Sequence, residues 1–204
     1  MSINQSELSK IYQDSQKTKI NLQGKKFEEV RQTAIQDPEK FWSDQANNLL
    51  WNKKWDKTLD WNYPFAKWFV GGQLNASVNC LDRHIITDKK NKAAIIYQDE
   101  IGNKQTFTYN QLYKYVNKFA SVLKDLGIKK GDRITIYLPM IPELIVSMLA
   151  CSRLGAIHIV VFSGFSIQAL SDRVNDSESR LIITSDYAIR RGKKIMLKNI
   201  VDDA

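Results

Sequence analysis

Two stretches carry residue types able to hold an anion: "VVFSGFSIQALSDRV", residues 160–174, and "YAIRRGKKIMLK", residues 187–198. In the first, an apolar run enters a small loop at Ser163 and Gly164 and then a helical pattern. A phosphate cradle needs backbone N–H groups converging on the ligand, with a helix N-terminus behind them. "FSGFS" offers such groups, together with the hydroxyls of Ser163 and Ser166. It lacks the G-x-x-x-x-G-K-[ST] spacing with its lysine, and it lacks G-x-G-x-x-G. The second stretch sets Arg190, Arg191, Lys193, Lys194 and Lys198 after a strand end. Arginine suits bidentate phosphate contact, and lysine supplies a point charge. Taken singly, each stretch also has a plain structural reading: a glycine in a βα turn, and a solvated basic face. No nucleophile stands beside a base, and "SGFSI" does not match a G-x-S-x-G elbow. The carboxylate pairs Asp99/Glu100 and Asp202/Asp203 sit in turn or helix-start contexts. The residues therefore predict binding and no catalytic member.

The elements around these stretches decide between the readings. "AAIIY" and "QTFTY", separated by "DEIGNK", read as a β-hairpin. Thr108 stands three residues before Gln111, a capping box that opens a helix. Leu112, Tyr115, Val116, Phe119, Val122, Leu123 and Leu126 continue it at helical spacing to Gly127. "DRITIYL" is the next strand. Pro142 then suits a first helical turn, and the apolar "ELIVSMLACSRLG" predicts a buried helix. "HIVVF" (158–162), a helix from about Ser166 to Asn175, and "RLIIT" (180–184) follow. Strand, helix, strand, helix, strand implies a parallel sheet with helices on both faces. Ligands of such sheets bind at the carboxyl ends of the strands. The "FSGFS" loop and the basic cluster follow successive strands, so both belong to one sheet edge. Together they predict an anion site for a phosphorylated ligand.

The rest of the chain is less regular. Residues 1–26 form a polar arm. All five tryptophans, Trp42, Trp51, Trp55, Trp61 and Trp68, fall within 27–85, where regular strand alternation is missing. Tryptophan interleaved with Lys53, Lys54, Lys57 and Lys67 can stack single-stranded nucleic acid. Large rings also give a short segment enough area to pack, and packing is the preferred reading. Hydrophobic residues make up 43% and charged residues 25%, which suits a folded core and excludes wholesale disorder. A net charge of +8 favours anionic partners. Cys80 and Cys151 lie far apart with no secretory signal. His84 and His158 have no partner at a zinc-site spacing, so no metal site is predicted. No run is long enough to span a bilayer. The chain reads as cytoplasmic.

"FWSDQANNLLW", "DWNYPFAKWFVGGQLNASVNCLDRH", "GDRITIYLPMIPELIVSMLACSRLGAIHIVVFSGFS", "SRLIITSD" and "LKNIVDDA" together give the sequence a resemblance to the AMP-forming acetyl-CoA synthetases of the adenylate-forming superfamily. The likeness runs from about residue 27 to the end. It implies an enzyme that joins ATP to acetate, or to a similar short carboxylate, giving an acyl-adenylate and pyrophosphate. CoA thiol then displaces AMP. Mg2+ accompanies ATP. In that family the loop matching Phe162, Ser163 and Gly164 lies by the CoA nucleotide. The basic residues matching Arg190 and Lys193 contact its phosphates, and Arg191 stands between them. Glycine is usual at Ser163 and arginine at Lys193, so Ser163 narrows the conformations open to the loop and Lys193 keeps charge without the fork.

The resemblance also implies an order of segments: the arm 1–26, an acetyl-CoA synthetase-type cap segment over 27–85, and the first part of an AMP-binding domain over 86–204. The fold class expected is α/β, a partial and mainly parallel sheet with flanking helices, preceded by an irregular Trp-rich segment. Asp202, Asp203 and Ala204 read as the opening of a further helix. A domain rarely stops there, so a truncated chain is expected. The family's ATP phosphate loop, adenine motifs, acyl pocket and lysine-bearing C-terminal domain match nothing here. Alone, the chain is expected to be inactive, with CoA, a short carboxylate and the rest of the enzyme as partners, and neither nucleic acid nor membrane. A stand-alone CoA or nucleotide module is the alternative; a basic nucleic-acid-binding protein is a more distant one.

Overall fold

The computed structural model describes residues 25–204. The polar arm therefore lies outside the described residues, apart from Lys25 and Lys26, which open a helix. The chain divides into two units: residues up to Leu49 with Trp55–Val70, and Leu50–Lys54 with Gly71–Ala204.

In the first unit, helix α1 spans Lys25–Gln36 and helix α2 Pro38–Ala46. Asp37 caps α2, accepting the Lys40 N–H at 2.9 Å, and Pro38 takes the first turn, where its missing N–H costs nothing. Strands β1 (Lys57–Asn62) and β2 (Phe65–Val70) pair antiparallel, with Leu59 opposite Trp68 and Trp61 opposite Ala66. This hairpin stands where the sequence showed no alternation. Only Thr58 of β1 is buried, so no apolar stripe marks the strand. Cross-strand pairing sets the register instead. Trp42, Trp61 and Trp68 keep much of their surface exposed, so packing accounts for the tryptophans only in part. Trp42 stands edge-on to Phe41 and Trp68, and Trp55 edge-on to Phe69 while donating to Thr58 Oγ1 at 3.0 Å.

The second unit holds the sheet. A π-helical stretch, Val78–Asp82, runs into one α turn, Arg83–Ile85. Strands β3 (Ala93–Gln98) and β4 (Lys104–Thr108) form the expected hairpin. Helix α3 (Tyr109–Asp125) starts with the full Thr108/Gln111 capping box. Strand β5 (Arg133–Tyr137), helix α4 (Pro142–Leu154), strand β6 (Ile157–Val160), helix α5 (Ile167–Asp176) and strand β7 (Leu181–Thr184) follow. The sheet is parallel in the order β6-β5-β7. A short antiparallel pair, β8 (Ala188–Arg190) and β9 (Lys193–Ile195), leads to helix α6 (Leu197–Asp203).

The period of two in β5 divides the core. Ile134 and Ile136 pack with Val116 and Leu123 of α3 and with Ala150 and Cys151 of α4. Tyr137 faces the other way and packs with Leu170 of α5 and Leu197 of α6. Each fully buried leucine or isoleucine contributes about 1.5–3 kcal/mol relative to exposure. The apolar helix α4 is not covered all round: Ile145 keeps 38% of its surface exposed. At its end, Asn75 donates to the carbonyls of Ser152 and Arg153 at 3.1 Å, satisfying groups the helix leaves open. Arg153 forks onto Asp82 at 2.5 and 3.2 Å. This gives the "NCLDRH" stretch a bracing role.

Asp202 and Asp203 correct the sequence reading. They lie within α6, which opens earlier at Leu197, and Lys198 pairs with Asp202 across one turn. The helix begins at Leu197, which is fully buried, so packing overrides the first-turn preference for acidic residues.

Candidate anion-binding cleft

The connection from β5 to β6 passes through α4 on one face of the sheet. The connection from β6 to β7 passes through α5 on the other. The strand order reverses there, and loops diverge from the carboxyl ends of the strands. A cleft of about 500 Å³ opens at this point. Pro139 and Met140 line it from the end of β5, Phe162 and Ser163 from the end of β6, and Ser185 and Tyr187 from the end of β7. The β3–β4 turn adds Asp99 and Glu100, and the β8–β9 hairpin adds Arg190.

Local structure fixes each of these. Ser166 caps α5, accepting the Ala169 N–H at 3.3 Å, and so ends the loop. Inside the turn, the buried Tyr137 hydroxyl lies 3.2 Å from the Ser163 carbonyl oxygen and 3.0 Å from that of Phe165. Its single proton is shared between them. Burial pushes the Tyr137 phenol above its usual value, so it stays a donor. Ser163 lies outside the left-handed region, so serine meets no backbone strain in this conformation.

The β8–β9 hairpin turns on Arg191 and Gly192, with φ of 52° and 72°. Both values suit a type I′ turn, in which glycine is easy and arginine is not. The pairing places Arg190 opposite Lys193, with both side chains on one face, together with Ala188 and Ile195. The Arg190 guanidinium lies 5.2 Å from the Phe162 ring centroid. Phe162 meets Phe165 edge-on at 5.9 Å, and Arg173 lies 4.7 Å over Phe165. A Cβ added to Gly164 would fall 2.5 Å from Arg190 Nη1 and 2.5 Å from Phe162 Cε1. Only glycine leaves room for this approach.

The structure thus brings Phe162, Ser163, Gly164 and Arg190 together. Lys193 is the cross-strand neighbour of Arg190, and Arg191 occupies the hairpin tip. Two other cations of the run have partners of their own: Lys194 Nζ sits 4.4 Å over the Tyr187 ring, and Lys198 pairs with Asp202. Tyr137 and Phe165 escaped the sequence reading. Tyr137 ends a strand directly before a loop, which is the one local sign it gives. Among the described residues, no three His, Cys, Asp or Glu side chains group as metal ligands. No helix among the described residues is long and apolar enough to cross a membrane.

Comparison with known proteins places this geometry in context. A family model described as AMP-binding enzyme matches residues 82–203. One described as acetyl-coenzyme A synthetase N-terminus matches residues 27–80. The acetyl-coenzyme A synthetase of Chlorobaculum tepidum is 51% identical over 178 residues, covering 87% of this chain and 27% of that protein. That of Leptospira biflexa is 50% identical over 187 residues, covering 90% and 29%. Among solved structures, acetoacetyl-CoA synthetase from Streptomyces lividans superposes with a TM-score of 0.78 at 26% identity, over 83% of this chain and 26% of that one. The chain thus spans little more than a quarter of the length of these relatives.

Proposed function

Because the chain belongs to the AMP-binding enzyme family, we propose that it is the amino-terminal part of an acyl-CoA synthetase. The arm 1–26, the cap segment 27–85 and the opening of the AMP-binding domain over 86–204 are its parts. The enzyme activates acetate, or a similar short carboxylate, with ATP to an acyl-adenylate and pyrophosphate. The CoA thiol then attacks the acyl carbon, the acyl–phosphate bond breaks, and AMP leaves. Mg2+ and ATP engage other parts of the enzyme. The relatives' names support this reading, with a cytoplasmic setting as part of the proposal.

One observation carries the role of this chain: the Arg190 guanidinium lies over the Phe162 ring, with Gly164 too close to bear a side chain. In the proposed site, Arg190 holds the phosphates of CoA, the ring of Phe162 restrains the guanidinium, and the loop N–H groups of Ser163 and Gly164 complete the cradle. Arg191 and Lys193 add charge at the rim and speed encounter with an anion. No residue here is assigned a bond-making step. By itself the chain binds CoA and does not turn over. Calorimetry with CoA and with pantetheine, which lacks phosphates, tests this. Tighter binding of CoA is expected; equal affinities refute the site. Pyrophosphate release from ATP, acetate and CoA should stay at background.

A further inference from the structure

The β3–β4 turn reaches the tip of the β8–β9 hairpin. Glu100 Oε2 accepts the Gly192 N–H at 3.3 Å, across 92 residues of sequence. Two acidic residues line this side of the cleft, and they differ. The oxygens of Asp99 are engaged within their own turn: Oδ1 accepts the N–H of Ile101 at 3.0 Å and of Asn103 at 2.8 Å, and Oδ2 accepts from Asn103 Nδ2 at 2.8 Å. Burial alone would raise the Asp99 carboxyl. The hydrogen bonds from Asn103, Ile101 and Gly102 together outweigh it and hold the carboxyl below its usual range. Asp99 builds the turn. Glu100 is exposed, and among the described residues its side chain hydrogen-bonds the Gly192 amide.

That contact places a carboxylate on the tip that carries Arg191 and adjoins Arg190 and Lys193. The N–H it accepts is a donor that a bound anion would use. We infer that Glu100 is a tethered competitor, which fills the hairpin-tip amide when no ligand is bound and selects for polyphosphate over carboxylate. The inference rests on the cleft being the anion site proposed above. A free carboxylate such as acetate brings the same charge as Glu100 without the advantage of a tether, so it fails to displace it. A pyrophosphate group brings more charge and more acceptor oxygens, outcompetes the carboxylate, and moves it aside. An enzyme whose acyl substrate is itself a carboxylate gains from this: the abundant acid does not occupy the nucleotide's place.

The test follows the Gly192 amide resonance of the 15N-labelled chain during titration with inorganic pyrophosphate and, separately, acetate. In the wild type, pyrophosphate moves the resonance and acetate does not. In Glu100→Gln, whose amide oxygen can still accept but carries no charge, the pyrophosphate midpoint should fall by about threefold to tenfold, the difference between a charged and a neutral acceptor, and acetate should now move the peak. Equal pyrophosphate midpoints in the two proteins would overturn the inference, as would a Gly192 peak that ignores pyrophosphate in both. The two readings fail separately. If CoA binds no tighter than pantetheine but Glu100→Gln still lowers the pyrophosphate midpoint, the CoA assignment fails and the competitor stands. If CoA binding depends on Arg190 but Glu100→Gln changes nothing, only the competitor fails.

Discussion

The guanidinium carbon of Arg190 stands 5.2 Å from the ring centroid of Phe162, within cation–π range. This contact joins the β8–β9 hairpin to the loop after β6, two segments with no backbone pairing between them. It also holds the cation in place. A cation held over a ring face is restrained in position by the ring's quadrupole.

Gly164 is the spacer that permits the contact. Replacing it with alanine places a methyl group 2.5 Å from both Arg190 Nη1 and Phe162 Cε1, too close for either to stay. The Gly164 backbone is not left-handed, so alanine meets no φ penalty. Gly164→Ala should therefore leave the thermal midpoint nearly unchanged while weakening CoA binding roughly tenfold, about 1.4 kcal/mol. Differential scanning calorimetry and titration calorimetry on the same sample separate the two effects.

Tyr137 acts on the same loop from inside the core. Tyr137→Phe keeps the ring and removes the proton shared by the Ser163 and Phe165 carbonyls. A loss of about 1 kcal/mol in urea unfolding is expected, together with weaker CoA binding, because the loop loses its anchor. Unchanged CoA affinity would show that the loop holds its shape without the hydroxyl.

Much of the second unit was legible in the sequence, because its signals are local. The capping box at Thr108, Ser166 ahead of α5, Gly155 after α4 and the apolar runs of β5 and β7 each act within a few residues. The convergence of "FSGFS" with Arg190 followed from the parallel-sheet rule alone. The β1–β2 hairpin was not legible, since its strands bury almost nothing on either face. Tyr137 and Glu100 were missed for another reason. Their partners lie 26, 28 and 92 residues away, and no spacing in the sequence encodes a contact of that range.

At the opposite end of the sheet, Asp132 titrates with the fold. Its Oδ2 accepts the Lys129 N–H at 2.7 Å and Arg180 Nη1 at 2.9 Å. The Lys129 amide, more than opposing burial, and then Arg180 hold the carboxyl below its usual 3.8. A depressed folded value stabilises the native state above the unfolded value, and that contribution disappears as pH falls through the folded value. Asp132→Asn should thus be less stable than the wild type at neutral pH, and the gap should close below about pH 4. Urea melts across pH 2.5–7 (a range set by ordinary carboxylate titration) check this; a gap constant with pH would contradict it.

The two thiols should separate cleanly. Burial raises the Cys151 thiol to about 11, and its side chain is fully enclosed. Cys80 is exposed. Iodoacetamide at neutral pH should modify Cys80 and leave Cys151 untouched until the chain is unfolded. Peptide mass mapping before and after denaturant reads the result.

The central claim is that Arg190 holds the phosphates of CoA, and titration calorimetry of the 204-residue chain with CoA tests it most directly. Arg190→Ala should weaken binding at least tenfold, about 1.4 kcal/mol or more, and Arg190→Lys by less, since charge survives without the fork. Lys198→Ala, whose side chain pairs with Asp202, should bind as the wild type does, and none of the three should alter the response to pantetheine. An Arg190→Ala chain that binds CoA as tightly as the wild type would contradict the account.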